Sequence, residues 1–331
     1  ARRRKGLSLR KLAVKVKVSA QAISKYERNL DTPSSPVLIR LSRALGVSIE
    51  RLLRPQKVVL TNVSYRCHKT RLTKSERETI QEEVSDWLER YLAIEEILGQ
   101  RSKFDLKKIV IPIKGLEDAE SAAEKLRRLW HLGQDPIRHL IYTCEEHGIR
   151  VGLVAGPKAF DAMAFFANDS IPVIVVNRGL PGDRQRLSIA HELGHLVLQV
   201  PGDWPEKDVE RAAFRFAGAF LMPRGQVFWE LGRHRSHLEY WKELYLLKHR
   251  YGISMQAIVR RAYDLGVIEE YVYRSICRSF RQQGWHEKEP GAPYPPEKTD
   301  RLEQLVFRAL NEGLISRRRA EELLGRALSD S

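Results

Sequence analysis

Apolar residues recur along the chain at helical spacing in most stretches and in short continuous or alternating runs in a few, so the pattern predicts mainly helices with a small sheet. Leu9, Leu12, Ala13 and Val16 make one stripe, and Ser8 stands ahead of it as an N-cap. A short turn through Lys17 and Val18 leads to Ser19, which can cap a second helix, Ala20 to Arg28, with Ile23 facing inward. A polar, proline-containing loop (Asn29 to Pro36) precedes a helix from Val37 to Leu45 that Gly46 stops, and a short helix from Ser48 to Leu53 closes the unit. Val58 to Arg66 reads as a strand. Thr73 to Glu76 is a capping box, opening a bracing helix to about Leu98 with Ile80, Val84, Trp87, Leu88, Tyr91, Leu92 and Ile94 inward. Two further helices are expected over Asp118 to Leu132 and Pro136 to His147, each ended by a glycine. The runs RVGLV, AMAFFA and IPVIVVN read as three strands before Pro181-Gly182 turns the chain into another helix. After Pro223 the pattern is again helical. LKHRYGISMQAIVRRAYDLGVI has a helix-turn-helix rhythm, although such pairs are more often packing units. Residues 284–298, rich in Pro and Gly, read as a loop or linker before a terminal helical pair, Arg301 to Leu328.

These elements predict an α+β fold that is mostly helical: an all-α N-terminal domain (1–56), a connecting strand and helical region (57–148), a core with a small sheet (149–225) and a helical C-terminal region (226–331).

Charge changes the reading of the first domain. The net charge of the 331 residues is +15, yet residues 1–57 hold fifteen Lys and Arg against Glu27, Asp31 and Glu50. A basic block this concentrated on a small helical unit is the electrostatic footprint of a polyanion partner. The two capped helices have the grammar of a helix-turn-helix, in which the second helix lies in the major groove.

The strongest chemical signal is His191-Glu192-Leu193-Gly194-His195, inside the amphipathic run RLSIAHELGHLVLQV. Residues four apart share a helix face, so His191 and His195 can chelate one zinc while Glu192 serves as general base toward water. Leu198 stands where a metzincin continuation would need glycine. A downstream carboxylate is therefore the expected third ligand. Glu210 shares a stripe with Ala213, Phe214, Ala217, Phe220 and Leu221, and a carboxylate on an apolar face is costly unless paired or bound to metal. Asp203, Glu206 and Asp208 are the alternatives. His234, His237, His249 and Tyr251 are candidates to polarise a scissile carbonyl.

Two separated motifs, R-x-R-x-x-x-A-H-E-L-G-H (Arg184 to His195) and E-x-x-A-x-x-F-A-x-x-x-L-M-P (Glu210 to Pro223), resemble the ImmA/IrrE family of metallopeptidases. That resemblance implies a zincin-like domain, zinc on His191, His195 and Glu210, Glu192 as the catalytic base, and a repressor-type protein as substrate. The stretch from Ser8 to Leu53 resembles the XRE (lambda-repressor-like) helix-turn-helix family. By that resemblance Ser19, Gln21 and Ser24 face bases, while Lys25, Arg28 and Asn29 serve bases or phosphates of a double-stranded DNA operator. Lys17 departs from the family in occupying a turn position usually held by glycine, at a cost of roughly 1 kcal/mol if its φ is positive.

Three dispersed cysteines give no disulfide framework, and no apolar run approaches the ~18 residues of a membrane helix, so a cytoplasmic protein without membrane contact is expected. No signal peptide is read, and a start at Ala1 leads us to expect further residues upstream. The expectation is a DNA-binding transcriptional regulator, a homodimer, with a zinc-dependent endopeptidase domain that cleaves a repressor-type protein or itself. The alternative is a regulator whose peptidase-like domain senses a ligand or metal without hydrolysis.

Overall fold

A computed structural model describes residues 2, 5–47, 49–53, 60–67, 72–100, 109–238 and 240–328. The chain divides into two compact units, Ala1–Val59 with Thr73–Glu89, and Leu60–Leu72 with Arg90–Ser331.

In the first unit, α1 (Leu9–Val16) and α2 (Ala20–Glu27) start as the sequence predicts. The Ser8 hydroxyl accepts from the Lys11 amide at 3.1 Å, and that of Ser19 accepts from Ala22 at 3.0 Å. Lys17 does adopt the left-handed region, with φ 55° and ψ 52°, which reverses the chain between the two helices. Arg40 supports that turn by donating to the Val16 carbonyl at 2.8 Å. The helices α3 (Ser35–Leu45) and α4 (Ile49–Leu53) complete the unit, whose core joins Leu12, Ala13, Val16, Ile23, Val37, Leu41, Leu45 and Val47. Ser48, expected to open α4, and Val58 and Val59, expected to open the first strand, lie outside the described residues. Helix α5 (Lys74–Ile97) begins on the expected capping box, with Thr73 and Glu76 exchanging amide-to-side-chain bonds of 2.8 and 3.2 Å.

The second unit is built on a four-stranded sheet of β1 (Leu60–Cys67), β3 (Arg150–Val154), β4 (Phe160–Ala167) and β5 (Ile171–Asn177), with β2 (Ile111–Pro112) lying outside it. The strand order is β1-β4-β5-β3; the first two pairings are antiparallel, and β5 with β3 is parallel. Val173 to Val176 of β5 are all fully buried, as a strand covered on both faces requires. Helices α6 (Asp118–Leu129) and α7 (Leu140–Glu146) are shorter than expected. His139 is extended (φ −126°), and the Leu140 and Ile141 amides that open α7 are met by the Glu297 carboxylate at 3.4 Å each, so the helix starts four residues after Pro136.

Helix α8 (Gly182–Val197) lies on β4 and β5 and against α9 (Glu206–Leu221), which packs in turn on α6. Between α8 and α9 runs β6 (Leu198–Gln199), paired in parallel with β2. The C-terminal carbonyls of α9 are clamped by two buried guanidinium groups: Arg127 donates to Phe220 at 2.6 Å and Arg261 to Met222 at 3.1 Å. Cations complement a helix C-terminus, and here they replace the water that burial removes. Arg261 is neutralised by Glu120 through two 2.6 Å bonds.

Helices α10 (Arg224–Leu231), α11 (Trp241–Tyr251), α12 (Met255–Asp264) and α13 (Glu270–Gln282) surround this centre. The helix-turn-helix rhythm at Gly252-Ile253-Ser254 serves packing: α12 buries Met255, Ile258, Val259, Arg261 and Ala262. The proline-rich stretch 284–298, expected to be a loop or linker, is a loop and not a free linker. It is a strap pinned to the unit, with Glu289 bonded to buried Lys248 of α11 at 2.8 Å and Glu297 paired with buried Arg186 of α8. A Cβ on Gly182 would stand 2.0 Å from the Pro295 carbonyl, so the absence of a side chain there lets the strap cross the start of α8. The chain ends in α14 (Arg301–Asn311) and α15 (Arg317–Leu324), where Arg317 to Arg319 face Glu321 and Glu322 of their own helix. No helix among the described residues is long and apolar enough to cross a membrane.

Candidate metal centre

His191 and His195 sit one helical turn apart on α8, and their Nε2 atoms approach to 3.0 Å. Glu210, in the second turn of α9, reaches both: Oε2 lies 3.3 Å from His191 Nε2, and Oε1 lies 3.3 Å from His195 Nε2. Tetrahedral zinc with bonds of ~2.0–2.1 Å has donor atoms about 3.3 Å apart, so two imidazole nitrogens and a carboxylate at these separations fit the ion. Among the described residues this is the group of ligating side chains so placed.

The local sequence explains why the helices meet here. A Cβ on Gly194 would come within 3.1 Å of Phe216 and 3.4 Å of the Ala213 Cα, so the small residue between the two histidines lets α9 approach α8 closely. Exposure rises across the three side chains, from none at His191 to 14% at His195 and 39% at Glu210, which leaves one side open to an incoming group. The apolar stripe drawn through Glu210 holds for Ala213, Ala217, Phe220 and Leu221, which are buried. Phe214 corrects it. That ring is 43% exposed and lies 4.3 Å from the His191 ring, because it stands beside exposed Arg211 and half-buried Arg215 at the edge of the stripe. Hydrogen bonds from His191 and then His195 hold the Glu210 carboxyl far below the usual carboxylate range, against the opposing effect of burial. It is therefore an anion ready for a dication.

Glu192 is fully buried beside His191 on α8. The candidates for carbonyl polarisation are placed as follows. The Tyr251 hydroxyl is 2.9 Å from Gln226 Oε1 and from Glu230 Oε1, and His249 Nε2 is 3.1 Å from the Ala292 carbonyl. His234 and His237 are exposed, the latter 3.1 Å from the Ser236 hydroxyl. Asp208, an alternative third ligand, instead pairs with Arg211 at 3.2 Å. Asp203 and Glu206 are both exposed and stand outside the converging group.

A model of the IrrE N-terminal-like domain of peptidase family M78 matches residues 144–263, and a helix-turn-helix model matches residues 1–52. The chain joins a helix-turn-helix domain to an IrrE-like, peptidase-like domain. Comparison with curated proteins gives no match. The matched stretch contains His191, His195 and Glu210 and extends into α12.

Sequence reasoning missed what holds α8 in place in the IrrE-like domain. Asp183 and Arg186, in its first two turns, meet Lys248 and Glu297, so two buried ion pairs fix the helix that carries the histidines. The signal was present as two carboxylates, Glu289 and Glu297, within a proline-rich segment. In the helix-turn-helix domain, Gln21, Lys25, Arg28 and Asn29 of the α2 region are exposed and Ser24 is half-buried. Ser19 is also exposed, with its hydroxyl engaged as the helix cap. Arg28 folds back to the Ser24 carbonyl at 3.2 Å, and Asn29 is left-handed with φ 55°.

Proposed function

We propose that this transcription regulator with a peptidase-like domain is an active zinc endopeptidase that cleaves a repressor-type protein or its own chain. The single observation that carries the reading is the convergence of His191, His195 and Glu210 at tetrahedral-edge distances beside Glu192. His191, His195 and Glu210 would hold the ion. Bound zinc supplies a Lewis acid, lowering the pKa of water to about 7 and polarising a carbonyl. Glu192 accepts the proton of the attacking water and returns it to the leaving amine. The exposed side of Glu210 gives the substrate its approach. At the other end of the chain, α2 enters the major groove, with Ser19, Gln21 and Ser24 toward bases and Lys25, Arg28 and Asn29 toward bases or phosphates. A homodimer reading two half-sites about 34 Å apart completes the proposal, as does action in the cytoplasm.

Zinc content separates the parts of this reading. Elemental analysis should find one zinc per wild-type chain and little or none in Glu210→Ala. Wild-type protein that takes up no added zinc would overturn the metal assignment. Glu192→Gln should keep its zinc and lose any self-generated fragment or repressor cleavage seen with wild type; cleavage that persists in that variant would sink the role of Glu192.

A further inference from the structure

Beside the metal centre lies a cavity of about 300 Å³ that the hydrolytic reaction leaves unused. Its apolar wall comes from Leu116, Leu187, Phe214 and Ala257, and its polar wall from Arg211, Arg215, Arg260 and Arg261 with Asp264. Two residues tie it to the metal centre. Leu187 precedes His191 by one turn on α8, and Phe214 follows Glu210 by one turn on α9 with its ring 4.3 Å from His191. A substrate whose scissile bond sits at His191, His195 and Glu210 thus has this cavity within one side chain's reach.

The charges lining it are only partly balanced from within. Arg261 is neutralised by Glu120 behind the wall. Arg260 spans Asp264 at 2.9 Å while remaining half exposed, and Arg211 pairs with Asp208 at 3.2 Å outside the cavity lining. Arg215 makes no ion pair among the described residues: one Nη donates to the Asp264 backbone carbonyl at 3.2 Å, and its buried Nε has no partner. A guanidinium with buried, unused donor capacity in a half-apolar cavity is matched by a carboxylate on a short aliphatic stem, which satisfies the donors and covers the apolar wall. Gly218 is what makes room for this arrangement, since a Cβ there would stand 2.6 Å from the Arg261 Cδ.

We infer that this cavity is a specificity subsite that receives a peptide carboxylate next to the scissile bond, with Arg215 and Arg260 as its recognition residues. The inference rests on the peptidase reading above, and its test separates the two. The probes are short peptide hydroxamates carrying Glu, Gln, Leu or Lys in the residue beside the zinc-binding group, each with a free or an amidated C-terminus, titrated calorimetrically into the zinc-loaded full chain. A charge-assisted contact should favour Glu over Gln by about tenfold, and Lys should bind worst. Arg215→Met and Arg260→Gln should each bring Glu and Gln to within about twofold, with the Leu hydroxamate still binding the zinc-loaded chain. A preference that follows the free C-terminus assigns the cavity to a terminal carboxylate; one that follows Glu assigns it to a side chain. If the hydroxamates bind with no carboxylate preference in either position, the subsite falls and the metal reading stands. If none binds the zinc-loaded chain, the peptidase reading falls and the subsite with it.

Discussion

Glu145 shows how one half-buried group can set a pH dependence far from any chemistry. Burial is the main influence on its carboxyl and pushes it from the ordinary 4.5 up to about 8, while the Thr299 hydroxyl at 3.1 Å and nearby Arg301 only partly offset that cost. The folded value lies above the unfolded one, so the group's contribution to stability is whole below pH 4.5 and is lost as pH rises through 8. At pH 9 the native state must hold a poorly compensated anion that the unfolded chain solvates freely. Glu145→Gln should therefore melt within a degree or two of wild type near pH 4.5 and be more stable by about 2–4 kcal/mol at pH 9. Thermal melts of both proteins at the two pH values decide it. An equal difference at both values would show that the amide changes packing and not charge. Glu210 has the opposite sign: its two histidine partners depress its carboxyl, so it stays ionised until strongly acidic pH.

At the level of elements, the site depends on how closely two helices approach. Gly194 gives α9 its access to α8, and that approach brings Glu210 to within 3.3 Å of both imidazoles. Gly194→Val adds branched bulk where even a Cβ stands 3.1 Å from Phe216. Overpacking of this kind costs about 1–3 kcal/mol. The displacement of α9 should also weaken zinc affinity by about tenfold or more, whereas Gly194→Ala, which needs a shift of only a few tenths of an ångström, should lose far less. Competition against a chromogenic chelator measures both. A valine variant that holds zinc as tightly as wild type would show that Glu210 is positioned by something other than the helix crossing. The sequence carried the parts of this arrangement that depend on spacing along one element: the four-residue interval of the histidines, the caps at Ser8, Ser19 and Thr73, and the left-handed Lys17 between α1 and α2. It did not carry the parts decided by what lies opposite. Helical periodicity places Phe214 on the Glu210 face but cannot show where that face leaves the core. Local composition leaves 284–298 open between loop and linker because the partner that buries Glu297 is Arg186, 111 residues away. The length of α7 is likewise set by Glu297 meeting its first amides, not by its own apolar spacing.

For the whole molecule, the distribution of charge sets the two ends apart. Residues 1–57 carry fifteen basic against three acidic side chains, so most of the +15 belongs to the helix-turn-helix end. In the C-terminal region even the Arg317 to Arg319 run faces its own glutamates, and such pairs at helical spacing present little unpaired charge to a polyanion. DNA affinity should then be governed by the first domain alone and should respond to salt through the phosphates that domain neutralises. Each released counterion contributes about −0.9 to the slope of log K against log salt, so a domain making four to six phosphate contacts should give a slope of roughly −4 to −5. A dimer on two half-sites should approach twice that. Replacing Lys25 or Arg28 by Ala should flatten the slope by about one per site occupied if the side chain meets phosphate. If it meets a base, specificity should change with less effect on the slope. Glu192→Gln and Glu210→Ala, at the other end of the chain, should leave the slope untouched. Fluorescence anisotropy over 50–300 mM salt, with selected operator DNA and a scrambled duplex, reads all of these in one series. A flat response in wild type would remove the basic domain from DNA binding altogether, whatever the peptidase-like domain does.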